Sequence, residues 1–183
     1  MSDEAALPVS PSPDEAPVRA EAPLAFPARG TRPFPDPRPA GSAVSAPSAV
    51  RAGLETWEQG TLMTTLGMEV VERGHERVVV RMPVRGATQV VGVLHGGASA
   101  ALIETAASVA ARQVAPQGAV AVGAELQVSH LRPVQAGYVT AVATPVHLGR
   151  RTAVHEVTVS DDDGRLIARG TLRSLYTEVE SGD

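Results

Sequence analysis

The sequence predicts an α+β domain in which one long helix is laid against a curved antiparallel sheet. From Ala98 to Ala111 the chain is apolar except for Ser99, Glu104, Thr105 and Ser108, which is the composition of a covered helix and not of a surface one. Two stretches of strand character precede this run and four follow it, with turn signals between them. A lone helix of that kind has to be buried by a sheet, and those strands are the surface available to do it.

The elements follow in order from residue 51. "VRAGLETWEQG" reads as a short helix, and "TLGMEVVERG" as a first strand running into a glycine turn. In "ERVVVRMPV", Val78, Val80, Met82 and Val84 alternate with Arg77, Val79 and Arg81, the period of a half-buried strand. After the helix come "AVAVGAELQVSHLRP", "GYVTAVATPVHLG", "RRTAVHEVTVSDDDG" and "GRLIARGTLRSLYTEV", each with strand period. Asp161-Asp162-Asp163-Gly164 marks a hairpin turn and Gly149-Arg150 another, so the last four strands are expected to run as a meander.

The first 50 residues are of another kind. They hold eleven of the 15 prolines and both phenylalanines, in patterns such as "PSPDEAP" and "RPFPDPRPAG", with neither helical nor alternating period. Such a segment buries too little apolar surface to offset the entropy of ordering it, so residues 1–50 are expected to be a disordered tail and 51–183 the folded domain. Acidic Asp3 and Glu4 and the lack of an apolar core argue against a targeting peptide there. No later stretch is long enough to span a membrane.

Composition removes several chemistries. Cysteine is absent, which excludes disulfides, thiolate nucleophiles and cysteine-based zinc sites. All 16 basic residues are arginine, which excludes Schiff-base chemistry and a phosphate-loop lysine. A net charge of −4 with scattered arginines argues against nucleic acid as the main partner. The five histidines form no local metal-ligand spacing, and His75, His147 and His155 read as structural. The expectation is a cytoplasmic protein with no membrane partner, no metal and no resident cofactor.

Two features of the stretch "VVGVLHGGASAALIETAASVAARQV" then need explaining. Glu104 is the helix's only charge before Arg112, and a carboxylate in such surroundings is paired, protonated or functional. Gly96 and Gly97 open the helix, where unblocked N–H groups and the positive end of the dipole could hold a carbonyl oxygen as it becomes an oxyanion. On these residues alone, Gly-Gly as a strand-to-helix turn capped by His95 is an equally good reading. Geometry adds one constraint: nine residues of helix separate His95 from Glu104 by roughly 13 Å along the axis and about half a turn. One helix cannot bring both to one small reacting group, whereas two antiparallel copies about a two-fold axis could. A glutamate facing N–H donors, with no serine, cysteine or metal nucleophile in evidence, suits hydrolysis of an activated acyl group such as a thioester.

"GVLHGGASAALIETAAS", "VSHLRP" and "PVHLGRRTAVHEVTVSDDDGRLIARG" resemble the hotdog-fold acyl-CoA thioesterases of the phenylacetate-pathway type. Within them the match is closest to the branch of 1,4-dihydroxy-2-naphthoyl-CoA and 4-hydroxybenzoyl-CoA hydrolases. The similarity covers about residues 62–177. It implies an α+β hotdog fold whose central helix is wrapped by the sheet. It also implies homodimers with shared active sites, assembled as a homotetramer, and CoA as part of the substrate, not a cofactor. By this resemblance Glu104 is the catalytic carboxylate, as nucleophile or general base, and the Gly96 N–H belongs to the oxyanion hole. His95 orients the thioester, Gln89 hydrogen-bonds the carbonyl or the water, and Ser108 positions the water or acyl group. His130 and Arg132 match a contact near the nucleotide of CoA. Leu148, Gly149, Arg150 and Arg151 sit in a turn where arginine could bind phosphate. Val90, Val91 and Leu94, with Ser108, Leu66 and Met68, are candidate lining of the acyl pocket. A hydroxyaryl acyl group follows from the resemblance alone. A medium-chain or phenylacetyl-type thioesterase and a non-catalytic acyl-CoA sensor are the alternatives. A hydratase on the same fold is disfavoured, because its Asp-to-His spacing is missing from this helix.

Overall fold

The computed structural model describes residues 54–178, so the tail expected at 1–50 lies outside the described residues. The stretch "VRAGLETWEQG", read as one short helix, holds among its described residues only a 3-10 turn at Thr56–Glu58, and a separate four-residue helix α1 at Leu62–Thr65 comes after it. Gly60, at φ 73°, takes a left-handed conformation between them that no helix continues through. Thr61 then caps α1 by accepting from the Met63 N–H at 3.2 Å. Strands β1 (Glu69–Glu72) and β2 (Val78–Pro83) follow, then helix α2 (Gly96–Gln113). The chain ends in β3 (Ala119–His130), β4 (Tyr138–Leu148), β5 (Thr152–Asp161) and β6 (Leu166–Glu178).

All six strands form one antiparallel sheet in the order β1-β2-β4-β5-β6-β3, which corrects the expected meander. β4, β5 and β6 are joined by the two predicted hairpins, but β3 pairs with β6 at the far edge and not with β4. The segment after β3 carries the chain back across the end of the sheet. Leu131 donates to Ile167 O of β6, Val134 O accepts from Leu94, and Gly137 O accepts from Val84 at the end of β2. Strand period and turn residues report where a strand stops, whereas its neighbour is set by α2, which delivers the chain to the opposite edge.

The core lies between α2 and the concave face of the sheet. Leu102, Ile103, Ala106 and Ala107 of the helix are fully buried against Val78, Val80 and Met82 of β2, Val139, Ala141 and Ala143 of β4, Val157 and Val159 of β5, and Leu172 of β6. Each large aliphatic chain so buried contributes roughly 1.5–3 kcal/mol. The alanines and Gly170 let backbone approach backbone.

One expectation about α2 is corrected. The helix is not enclosed on all sides: Gly97, Ala100, Ala101, Glu104, Thr105, Ser108 and Arg112 form a half-buried to exposed strip along it. A single sheet can cover only one side of a helix, and alanine and serine look alike in the sequence whether they face a strand or an open strip.

His155 of β5 is fully buried, and neither of its ring nitrogens finds a hydrogen-bond partner among the described residues. Burial holds its pKa below the ordinary value of 6.5. The unfolded chain therefore takes up a proton that the folded chain refuses. Stability is complete above that value and falls as the pH drops below it, by at most about 1.4 kcal/mol per pH unit for this one group. Urea unfolding of His155→Leu between neutral and mildly acidic pH is expected to lack this component, with stability at neutral pH kept or raised because a buried unsatisfied group is gone. An unchanged acid slope in the variant would assign it to other groups.

Candidate active site

The start of α2 is held by a hydrogen-bonded loop. Leu94 pairs with Thr88 in an isolated bridge, His95 N–H donates to Ala87 O, and Gln89 N–H donates to Val93 O at 2.9 Å. Gly92, at φ 77°, closes the turn, so Gln89, Val90 and Val91 stand exposed on its tip. Val90 and Val91 are thus on a projecting loop, while Leu94 and Met68 belong to the core and Leu66 packs against it.

His95 is the N-cap of the helix, its Nδ1 accepting from the Gly97 N–H at 2.8 Å. That bond uses the lone pair of Nδ1, so the neutral ring carries its proton on Nε2 as an outward donor. Capping and substrate orientation, which compete in the sequence, are compatible here because they use different nitrogens. The Gly96 N–H, the first of the helix, donates to no acceptor among the described residues. The helix start thus carries a free N–H and the positive end of an 18-residue helix, with the His95 imidazole as its cap. A carbonyl oxygen gaining negative charge would be stabilised there.

Glu104 sits on the open strip, eight residues and about 12 Å along the axis from Gly96. A Cβ at Gly123 of β3 would lie 3.2 Å from Glu104 Oε1, so the carboxylate extends over a strand that has no side chain at that point. β3 also has a register irregularity between Gly123 and Glu125. Sequence reasoning missed Gly123, although a glycine inside a strand is the available signal of a close approach or a bulge. Beside Glu104 lies a cavity of about 430 Å³ lined by Leu62 and Met63 of α1, Ala101, Thr105, Ser108 and Val109 of α2, and Glu58, Thr61 and Arg112. Of the residues expected to line an acyl pocket, only Ser108 borders it. Glu58 is buried in an ion pair with Arg73 that ties the 3-10 turn to the residue following β1. The α1 residues had no sequence signal beyond a short apolar run.

The remaining candidates are dispersed. His130, at the end of β3, lies against the helix start: a Cβ at Gly96 would be 3.1 Å from its Nε2, and its Nδ1 is 3.2 Å from Ser99 Oγ. Arg132 donates through Nη1 to Leu166 O at 2.7 Å. Gly149 N–H donates to Thr152 O in the β4–β5 turn, with Leu148, Arg150 and Arg151 exposed around it. That turn is at the far end of β4, eleven residues and about 35 Å of strand from the end nearest the helix start. One chain therefore joins His95, Gly96 and His130 at one place, Glu104 and Ser108 at a second, and the arginine turn at a third.

A family model described as Thioesterase superfamily matches residues 91–168, which span α2, β3, β4, β5 and the start of β6. The proofreading thioesterase EntH of Cronobacter turicensis is 43% identical over 107 residues, covering 58% of this chain and 78% of that protein. A crystal structure of a thioesterase from Haemophilus influenzae superposes with a TM-score of 0.65 at 33% identity, over 68% of this chain and 88% of that one. A variant of the phenylacetic acid degradation protein PaaI from Thermus thermophilus is also 33% identical, with a TM-score of 0.58 over 62% of this chain and 96% of its own. With its helix wrapped by one antiparallel sheet and a carboxylate on the open strip, the chain belongs to the thioesterase superfamily and is a hotdog-fold thioester hydrolase.

Proposed function

We propose that the protein hydrolyses an acyl-CoA thioester to the free acid and CoA at two equivalent sites of a homodimer, with dimers paired into a homotetramer. The observation that carries this reading is the split site: a free Gly96 N–H at the helix start and Glu104 about 12 Å further along the same helix. A two-fold axis that sets two copies of α2 antiparallel brings the Gly96 end of one to the Glu104 level of the other. β3 supports the pairing, because it is the edge of the sheet, twelve residues long, with Val120 and Val122 exposed. A long apolar edge of that kind favours addition of another strand.

At such a site the thioester carbonyl accepts from the Gly96 N–H and from His95 Nε2–H, with Gln89 in reach from its loop. Glu104 of the facing copy either removes a proton from a water that attacks the acyl carbon, or attacks that carbon itself to form a mixed anhydride that a water then hydrolyses, releasing the free acid and restoring the carboxylate. The C–S bond breaks, the CoA thiolate leaves, and the proton lost by water ends on that thiolate. Thiolate is a good leaving group, so the reaction asks little of a general acid. Ser108, on the cavity wall one turn beyond Glu104, holds the water or the acyl group. Arg150, Arg151, Arg132 and His130 supply contacts for the phosphates and arm of CoA. The acyl group is a hydroxyaryl one, of the 1,4-dihydroxy-2-naphthoyl type; a cavity of about 430 Å³ with Leu62, Met63 and Val109 in its wall is of a size for a fused aromatic ring.

Release of CoA thiol from a panel of aryl and aliphatic acyl-CoAs tests the reading, with the hydroxyaryl thioesters expected to turn over fastest. Fastest turnover of medium-chain or phenylacetyl thioesters would replace the acyl assignment, and binding without turnover would make the protein an acyl-CoA sensor. Site sharing is tested by co-assembling Glu104→Gln chains with His95→Ala chains, each inactive alone. Random pairing across a two-fold axis leaves one site in four intact, so about a quarter of wild-type activity is expected. No recovery would place both residues of each site on one chain.

A further inference from the structure

Ser99 is the one polar side chain in the first turn of α2, and it is 2% exposed. Its Oγ lies 3.0 Å from Gly96 O and 3.2 Å from His130 Nδ1. A hydroxyl has one proton to give. The Gly96 carbonyl can only accept, so the proton belongs to that contact; turned toward His130 instead, it would leave two oxygens facing each other with lone pairs at 3.0 Å. Oγ then offers a lone pair to His130 Nδ1, which must carry the ring proton, and Nε2 remains as an acceptor beside Gly96. The peptide unit whose carbonyl Ser99 holds ends in the Gly97 N–H, which donates to His95 Nδ1. In that ring Nδ1 is the acceptor and Nε2 carries the proton. A buried hydroxyl and a single peptide plane therefore join the two imidazoles and give them opposite tautomers.

We propose that Ser99 is a positioning residue that fixes His130 in its Nδ1–H form, so that beside the Gly96 N–H the helix start presents one imidazole donor, His95 Nε2–H, and one imidazole acceptor, His130 Nε2. Resting on the thioester hydrolase reading, this pair sets which way round the substrate lies. The carbonyl of the scissile group meets His95, and an amide N–H of the thiol-bearing arm meets His130. The reversed placement sets donor against donor and acceptor against acceptor, and is rejected by repulsion as well as by lost bonds.

Long-range proton–nitrogen correlation spectra of the ¹⁵N-labelled full chain, recorded above the pH at which histidines titrate, read both tautomers directly in the resting protein. His95 is expected as Nε2–H and His130 as Nδ1–H. Ser99→Ala is expected to convert His130 to Nε2–H without altering His95, while Ser99→Thr, which keeps the hydroxyl, retains the wild-type pattern. With a hydrolysed thioester, Ser99→Ala raises KM by about two- to tenfold with kcat changed less, the range of one lost hydrogen bond. Like tautomers in the wild type, or a His130 indifferent to Ser99→Ala, would overturn the proposal and leave the hydrolase reading standing. The expected tautomers in a protein that cleaves no thioester would overturn only that reading.

Discussion

Glu104→Gln is expected to lower kcat for thioester hydrolysis by about a thousandfold, the middle of the range spanned by a positioned general base and below what loss of a nucleophile costs. The amide matches the carboxylate in shape but can neither take a proton from water nor attack the acyl carbon. For a group that acts on the reacting atoms, as proposed for Glu104, kcat and kcat/KM should fall together with KM little changed. The fold should be unaffected: Glu104 is exposed in the chain and forms no ion pair among the described residues, so neutralising it strands no partner. Stability within about 0.5 kcal/mol of wild type is expected from urea unfolding. Wild-type turnover by the variant would remove Glu104 from the chemistry.

The largest effect on stability is expected at Gly170, in the middle of β6. Its φ is ordinary, and what matters is space. A Cβ there would stand 2.4 Å from Gln127 O on the paired strand and 3.1 Å from Ile103 Cγ2 on the helix. The first contact is to backbone, so relief requires β3 to move away from β6, and the second requires α2 to lift from the sheet. Gly170→Ala is therefore expected to cost about 3 kcal/mol, at the upper end for an overpacked core, even after the entropy that alanine removes from the unfolded chain. β3 also carries Gly123, under the Glu104 carboxylate, and His130, against Gly96, so activity should fall with stability. The urea midpoint of the purified variant decides the matter, and an unchanged midpoint would mean that the two strands yield at little cost.

Much of this architecture was legible beforehand, and the exceptions have identifiable causes. The alternation of Val78, Val80 and Met82 marked β2, and Asp161 to Gly164 marked the β5–β6 hairpin, because those signals are carried by neighbours in the chain. The partner of β3 was misjudged because "AVAVGAELQVSH" has the same period whether it pairs with β4 or with β6. The helix expected from "VRAGLETWEQG" is reduced, among its described residues, to the 3-10 turn Thr56–Glu58, because Gln59 already leaves it in an extended conformation. At the site, the motif around His95 and Glu104 pointed to α2, whose start and open strip carry both residues. That Glu104 faces an open strip over Gly123, and that Leu62 and Met63 help to wall the adjoining cavity, depends on elements far apart in sequence.

The amino-acid sequence by itself determined the elements, the apolar helix at the centre, and the spacing that keeps Gly96 and Glu104 from meeting on one helix. Those properties are local: they follow from side-chain period, turn chemistry and helical rise. Only the tertiary structure decided the strand order, the open face of α2 and which side chains meet at the start of that helix. Each of these rests on contacts that fold brings together, such as Ser99 with His130 across 31 residues of chain, and no local pattern encodes them.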